Sequence, residues 1–478
     1  MLRVIADSNR SRRPISGRAP ATGPVRYTFG ILAMLMVITG STLAFAQAGT
    51  LDSTFGTGGI FSTSFAQPAT ADNAIAIQSD GKIIVGGLVA VSTGGGAGAL
   101  IRLNTNGTLD SSFGTGGIVT SDFGNASGAI VFSIAIQANG QIVAAAEGGF
   151  LDEGSVGRFN TDGSVDTAFG SNGFATSDSV NSPPGASNAM VLQPNGSIVV
   201  TGGGFMARYT STGQVDTTFG TNGVATLNSL IVTGMALQSD GKILVTTGAG
   251  TQTVIETAPP LPSGIAGSIS RYNTNGTLDT TFGVSGQAAC VASAAGIALQ
   301  SNGKIVVAGT ITSGLGNVLY DGRMYINNLT GFGVVRYNAN GSIDTTFHPG
   351  VGLGSGGGVI TGFGSSFPYS GAFALAVQSN GEIVVAGVAG DASFNAYVPP
   401  TQLASASLAL ARYTTTGQLD TSFGTNGTVI TTVGQTNISS VSALAIQSDG
   451  KIVAAGNSAV PQRDDVVNNF AVARYLAQ

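Results

Sequence analysis

One phrase occurs seven times in this chain and dictates what it can fold into. It reads Leu-Asp-Ser-Thr-Phe-Gly at 51–56, and its aspartate, Asp52, returns as Asp110, Asp166, Asp216, Asp279, Asp344 and Asp420. Seven Gln-x-x-Gly turns follow these aspartates, opening at Gln78, Gln137, Gln193, Gln238, Gln300, Gln378 and Gln447. Seven arginines close the units: Arg102, Arg158, Arg208, Arg271, Arg336, Arg412 and Arg474. Successive aspartates stand 50 to 76 residues apart. Units of that length holding several short strands cannot bury an apolar face alone, so they stack on their neighbours as a propeller or array.

Within a unit the strand signals are local. In the unit that opens at Leu419, residues 429–433 read as strand a, 443–447 as b, 451–455 as c and 470–475 as d, grouped here as one blade. Between b and c stands Ser448-Asp449-Gly450, and Asp-Gly or Asn-Gly between apolar runs marks a tight hairpin because both residues tolerate positive φ. Period-2 patterning without any helical period predicts an all-β chain, a single seven-bladed propeller of four-stranded blades. Its units start near 51, 109, 165, 215, 278, 343 and 419.

The spacing from arginine to the next aspartate is eight residues in all six internal instances. A three-residue loop ending in a left-handed glycine would set Arg271 opposite Asp279 and Tyr272 opposite Leu278. The segment from Asn104 to Asp110 also has the alternating oxygen side chains of a calcium loop. Two units replace its asparagines by Thr210 and Thr414, which keeps a turn while removing ligands, so turn chemistry is expected and no metal. Arg474 has no aspartate downstream, and Asp52 no arginine upstream, within the repeats. Seven of each balance only if the ends meet, so Asp52 and Arg474 are expected to close the ring.

Composition bounds the function. Charged residues make up 9% of the chain and glycine fills 73 positions, which suits tight turns and short strands and excludes disorder. Residues 1–46 differ: six arginines, Arg3 to Arg26, precede an apolar run over 29–43, and Ala44-Phe45-Ala46 offers a cleavage site. This reads as an export signal rather than a membrane span, leaving 47–478 as the propeller. Removing six arginines and Asp7 from 19 basic and 24 acidic residues leaves 13 and 23, net −10. That balance argues against a nucleic-acid or anionic-membrane partner. The lone Cys290 permits no intrachain disulfide and reads as a small buried residue.

The three recurring phrases Leu-Asp-x-x-Phe-Gly-x-x-Gly, Ala-Ile-Gln-x-Asp-Gly-Lys-Ile-Val-Ala-Gly and Ala-Arg-Tyr-Asn-x-x-Gly-x-Leu-Asp together resemble the delta-60 repeat of bacterial extracytoplasmic proteins, over 51–478. The resemblance implies a β-propeller-like array and export, and no established activity. Unit six departs from it, with His348-Pro349 where the others have glycine after the motif phenylalanine.

Function is expected away from the repeated positions, which are explained by making seven blades. From turn glutamine to arginine the lengths vary between 15 and 36 residues, and from aspartate to glutamine between 21 and 34. With alternating strands both variable joints open on one face, including the long c–d loops near 248–267, 310–330, 387–407 and 457–469. Within 47–478 only two basic residues fall outside the repeat arginines and turn lysines: Arg323 and Arg463. Tyr320, Asp321, Arg323 and Tyr325, with Arg463, Asp464 and Asp465, are therefore the candidate ligand-binding residues. One histidine and one cysteine leave no metal or nucleophile constellation. No catalytic residue and no cofactor is assigned. Carboxylate pairs such as Asp464-Asp465 or Asp122 with Asp178 are what a glycosidase would need. The expectation is an exported, monomeric, non-catalytic binding or surface scaffold, periplasmic, cell-surface or secreted, facing a protein or glycan ligand of the envelope or exterior. A propeller hydrolase or lyase using loop carboxylates, or a purely structural surface protein, are the alternatives.

Overall fold

The computed structural model of the chain describes residues 47–63, 74–90, 96–124, 129–148, 153–181, 189–227, 229, 231–248, 267–290, 293–313, 317–320, 323–326, 329–349, 357–390, 406–433, 439–462 and 465–477. The expected export signal lies outside these residues. The described chain is all-β and forms seven four-stranded antiparallel sheets, the blades of one propeller.

The first strand among the described residues, β1 (Ile60–Thr63), belongs to the last blade. Blade 1 holds β2 (Ala74–Ile77), β3 (Ile83–Ala90), β4 (Gly96–Leu103) and β5 (Ile118–Ser121). Blade 2 holds β6 (Ala129–Ile136), β7 (Ile142–Gly148), β8 (Glu153–Phe159) and β9 (Phe174–Asn181). Blade 3 holds β10 (Met190–Leu192), β11 (Ile198–Gly202), β12 (Phe205–Tyr209) and β13 (Val224–Thr226). Blade 4 holds β14 (Val232–Leu237), β15 (Ile243–Thr247), β16 (Gly267–Tyr272) and β17 (Gln287–Cys290). Blade 5 begins with β18 (Ser293–Leu299) and β19 (Ile305–Ser313). A separate hairpin of β20 (Asn317–Tyr320) and β21 (Arg323–Ile326) intervenes before β22 (Leu329–Tyr337) and β23 (Gly358–Thr361) complete that blade. Blade 6 holds β24 (Tyr369–Val377), β25 (Ile383–Gly390), β26 (Ala406–Tyr413) and β27 (Thr428–Thr431). Blade 7 takes β28 (Ser439–Ile446), β29 (Ile452–Gln462) and β30 (Asp465–Tyr475), and β1 adds to its outer edge.

The first strand of each blade is innermost. These strands touch one another in the sequence β2, β6, β10, β14, β18, β24, β28, and β28 touches β2 again. The ring is therefore closed. The second and third strands carry the core: Ile83, Val143, Val199, Val306, Val384 and Val453 are each fully buried. Their side chains point alternately to the two neighbouring blades. The resulting clusters bridge blades, as where Val384 and Leu410 of blade 6 pack with Ile452 and Tyr475 of blade 7.

The observed frame corrects the grouping of strands. Residues 429–433 were expected to share a blade with 443–475, yet β27 pairs with β26 (Leu408↔Thr431), and β28 starts the next sheet. The reason is the arginine-to-aspartate hairpin, which binds strand a to the strand d that precedes it. Each blade is thus b, c and d of one unit with a of the next. The chain crosses to the next inner strand through the a–b joint.

Strand alternation places the turn glutamines and the arginine–aspartate hairpins at one end of every blade. The c–d and a–b joints lie at the other. The 310–330 joint accordingly leaves β19 at the end remote from the Gln300 turn. Among the described residues, five inner strands also carry a β-bulge, centred five residues before the turn glutamine at Phe132, Thr233, Ala295, Phe373 and Ser442. Phe373 is 44% exposed.

Candidate functional site

The chemistry that recurs in the sequence gathers on the turn face. In blade 1, Arg102 Nε donates to Asp110 Oδ2 at 2.7 Å, while Asp110 Oδ1 accepts from the Ser112 hydroxyl and N–H. The guanidinium lies over the Phe113 ring, 4.5 Å from its centroid. Arg102 Nη1 donates to the Thr161 carbonyl in blade 2. The same set recurs around the ring. Arg158, Arg208, Arg271, Arg336, Arg412 and Arg474 reach the carbonyls of Ser211, Thr274, Ala339, Thr415, Ala477 and Thr105, at 2.5–2.7 Å. Each arginine is thus tied to its own aspartate, its own phenylalanine and the next blade.

The turn lysines complete the pairing. Lys82, Lys242 and Lys304 lie 2.9, 2.8 and 3.0 Å from Asp110, Asp279 and Asp344, and Lys451 is 3.8 Å from Asp52. In blade 2 Gln141 Nε2 takes the lysine's place, 2.7 Å from Asp166. In blade 6 the place is held by Glu382, 3.4 Å from Arg412. These surroundings govern the carboxyls. Burial alone would raise Asp344, but the Thr346 hydroxyl, Lys304, the Thr346 N–H and Arg336 outweigh it and hold its pKa at about 2. The Lys242 ammonium leads the groups that hold Asp279 far below the usual carboxylate range.

Between the turns of blades 1 and 2 a groove of about 860 Å³ opens on this face, lined in part by Asp80, Lys82, Arg102, Gln137, Asn139 and Asp162. Its charges already have partners: Lys82 with Asp80 and Asp110, Arg102 with Asp110, and Asp162 Oδ1 with the Ser164 N–H and hydroxyl. Among the described residues no group of three or more His, Cys, Asp or Glu side chains could hold a metal ion. The Asn104–Asp110 segment is a turn held by its own side chains, Asn106 Oδ1 accepting from the Thr108 N–H at 3.1 Å and hydroxyl at 2.8 Å. His348 adopts φ +49° and donates its N–H to the Thr416 carbonyl at 2.8 Å, as the glycine does in the other units. The Cys290 thiol is buried, 4.0 Å from the Thr247 carbonyl, and burial pushes its pKa up.

Of the sequence-derived ligand residues, the four that are described lie away from the turn face, in two blades. Tyr320 and Arg323 are cross-strand partners at the tip of the β20–β21 hairpin of blade 5, and Tyr325 pairs with Val318. Asp465 opens β30 of blade 7, opposite Gln462. Asp321, Arg463 and Asp464 lie outside the described residues. In the order of the ring, blade 6 stands between the two blades that carry them. Of the carboxylates considered as a pair, Asp122 Oδ1 accepts from the Gly124 N–H at 3.0 Å, and Asp178 sits within β9 of blade 2. The bulges, with exposed Phe373 among them, were missed in the sequence: Gly234 and Gly296 beside the bulges at Thr233 and Ala295 are a signal that could have found those two, whereas Phe132, Phe373 and Ser442 have no adjacent glycine or proline.

A family model described as a domain of unknown function (DUF5122) beta-propeller matches residues 78–113, 137–169, 193–219, 265–282, 316–347 and 447–478. Five of these segments end at a motif phenylalanine, so the match follows the b–c–d frame of the blades and supports a β-propeller repeat family. No curated protein matches the sequence. Among solved structures the chain is similar to the polysaccharide lyase Uly1, with 12% identity over 90% of this chain and 98% of that one and a TM-score of 0.41. It is similar to Drosophila Plexin A in complex with Semaphorin 1b, with 10% identity over 89% and 87% and a TM-score of 0.40. It also resembles PorZ, a bacterial surface component of the type-IX secretion system of Porphyromonas gingivalis, with 12% identity over 81% and 46% and a TM-score of 0.33. Likenesses at this level bear on neither the site nor the activity of the chain.

Proposed function

We propose that the chain is an exported, non-catalytic binding or surface scaffold of the delta-60 type, whose variable joints on the face remote from the glutamine turns meet a protein or glycan of the cell envelope or exterior. One observation carries this reading. All seven repeat arginines and all four turn lysines are engaged in ion pairs with the repeat aspartates or their neighbours. The repeated chemistry therefore fastens blades together, and what differs between blades is in the c–d and a–b joints. Tyr320, Asp321, Arg323 and Tyr325 of the 310–330 joint, with Arg463, Asp464 and Asp465 near the 457–469 joint, are the residues assigned to recognition. The arginine-rich leader over 1–46 supports export to the periplasm, surface or medium.

The test uses protein beginning at Gln47, immobilised and exposed to envelope glycan and protein fractions. Replacing 314–328 by a short Gly-containing turn should abolish retention of a fraction that the parent retains, whereas Lys82→Ser on the turn face should not. Equal retention by the loop variant and the parent would remove the loop face from the reading.

A further inference from the structure

The seventh arginine–aspartate hairpin is assembled from two separate stretches of chain. In blade 1 the loop runs unbroken. Gly107 N–H donates to Asn104 O at 2.9 Å and Asn104 N–H donates to Thr108 O at 2.8 Å. The Thr105 and Asn106 carbonyls accept from Arg474 Nη1 and the Gly56 N–H of blade 7. At the seam the same four bonds appear with different residues. Gly49 N–H donates to Leu476 O at 2.8 Å and Leu476 N–H to Thr50 O at 2.9 Å. Arg412 Nη1 donates to Ala477 O at 2.6 Å, and Gly424 N–H to Ala48 O at 2.8 Å. Leu476 and Ala477 supply the first half of the turn, and Ala48, Gly49 and Thr50 supply the second.

Every major contact that holds 47–63 in the ring repeats one made in the other blades, and none depends on covalent continuity with blade 7. β1 lies against β30 from Ile60↔Ala473 to Thr63↔Phe470. Asp52 accepts from Arg474 Nε at 3.0 Å, and Phe55 is fully buried beneath that guanidinium, 4.6 Å away. Gln47 Nε2 adds a bond to Gly424 O. Ten residues, 64–73, separate β1 from β2 in blade 1.

We propose that residues 47–63 are an exchangeable closing segment, and that the seam on blades 6, 7 and 1 docks the same segment from a second copy of this chain. Two copies that trade segments close two rings and retain every seam contact, which is how a swapped dimer arises at little energetic disadvantage. Closure within one chain competes with an effective concentration on the order of millimolar for a short connection. The monomer therefore dominates in dilute solution, and exchange follows folding at high local concentration. A swapped dimer then persists, because separation must withdraw a buried phenylalanine and a buried ion pair.

The test refolds two differently tagged full-length chains together, one carrying Ser62→Cys and the other Ala471→Cys. These positions are direct cross-strand partners, and Cys290 is buried. A disulfide joining the two tags, in a species of twice the monomer mass by light scattering, is expected to increase with refolding concentration. Monomers alone at all concentrations, or dimers lacking that link, overturn the proposal. A second pair keeps the question open to a different chemistry: one chain with Asp52→Arg, the other with Arg474→Asp. Each alone places like charges at its seam, whereas an exchanged heterodimer matches both. A 1:1 heterodimer supports exchange, and a mixture behaving as the sum of its parts argues against it.

Discussion

Arg474 and Asp52 stand 422 positions apart in sequence and are joined by a hydrogen bond of 3.0 Å from guanidinium Nε to carboxylate Oδ2. Both side chains are almost fully buried, and the backbone N–H of Asp52 donates to the Arg474 carbonyl at 2.8 Å. The pair is thus one rung of the ladder that joins the two ends of the ring, with Phe55 wedged between blades 7 and 1 beneath it.

The wedge is expected to matter more than the charge. Asp52→Asn removes charge-assisted hydrogen bonds but leaves Arg474 its bonds to Thr105 O and Gln447 Oε1, so a loss of about 1.5–3 kcal/mol is expected. Phe55→Ala opens a cavity in a fully buried joint and should lose about 3–5 kcal/mol. Truncation after Asn469 removes Phe470–Tyr475, the part of β30 that pairs with β1 and carries Arg474, and should abolish the cooperative transition. Urea unfolding of the three variants ranks them, and a larger loss for Asp52→Asn than for Phe55→Ala would reverse the argument.

Acid should loosen all the joints together. The carboxyls of Asp52, Asp110, Asp166, Asp216, Asp279, Asp344 and Asp420 are all lowered in the folded state. A folded pKa below the unfolded value means the folded state resists protonation. The associated stability is therefore complete above the unfolded pKa near 3.8 and is lost as pH falls towards about 2, the value of Asp344. Urea midpoints should be nearly constant from pH 7 to 5 and drop steeply between pH 4 and 2. Asp344→Asn should make that acid limb shallower, and a midpoint independent of pH down to 2 would contradict the linkage.

Blade 6 carries the one turn whose charge is reversed. Glu382 shares Arg412 with Asp420, where blades 1, 4, 5 and 7 place a lysine beside the aspartate. Glu382→Lys should restore the pairing with Asp420 and raise stability by about 0.3–1 kcal/mol, the range for partly exposed pairs. The gain should shrink in 1 M salt. A loss of stability would mean that the glutamate's contact with Arg412 outweighs the lysine's with Asp420.

The sequence made the seven blades, the glutamine turns and the arginine–aspartate hairpins legible because each rests on a local rule: positive φ at a glycine, or cross-strand register set by loop length. It left the allegiance of strand a open to error. A β-branched run such as 428–431 has the same pattern whichever neighbour it pairs with, and only the hairpin register joins it to the preceding arginine. The bulge at Phe373 was illegible for a different reason. A bulge inserts one residue without changing composition, and the register shift between Ala372 and Ala374 is set by the neighbouring strand, β25. The candidate loop residues were chosen as charges the repeats do not use, and that criterion says nothing about distance. Tyr320 and Asp465 consequently belong to blades separated by a third.

Turn glycines should differ sharply in tolerance. Gly107 has φ +80° and a Cβ there would lie 2.6 Å from the Gly56 backbone N and 2.9 Å from the Phe55 ring. Gly116 has φ +62° with open space around the same position. Gly116→Ala should therefore cost only the left-handed strain of about 1 kcal/mol. Gly107→Ala adds a clash across the blade 7–blade 1 joint and should lose about 3 kcal/mol. Thermal unfolding of the two variants tests the difference, and equal losses would show that conformation alone, not packing across the joint, requires glycine.

The split turn makes its own prediction about connectivity. Ala477 O takes the bond from Arg412 that Thr415 O takes from Arg336, and Ala48 O takes the bond from Gly424 that Asn106 O takes from Gly56. Ala477 and Ala48 therefore occupy successive positions of one loop. Joining Ala477 directly to Ala48 should complete it as Leu476-Ala477-Ala48-Gly49, matching Asn104-Thr105-Asn106-Gly107. New ends opened between Thr274 and Asn275, at the equivalent point of blade 4, would recreate the split there. This circular permutant should fold to a monomer whose stability lies within about 1 kcal/mol of the parent, because one turn is made continuous and an equivalent one is opened. Segment exchange should move with the opening. The Ser62→Cys and Ala471→Cys pair should no longer link two chains, while cysteines across the β16–β17 ladder of blade 4, at Ile269 and Ala288, should. A permutant that fails to fold would show that the seam contacts, though equivalent in hydrogen bonding, require two free strands to form.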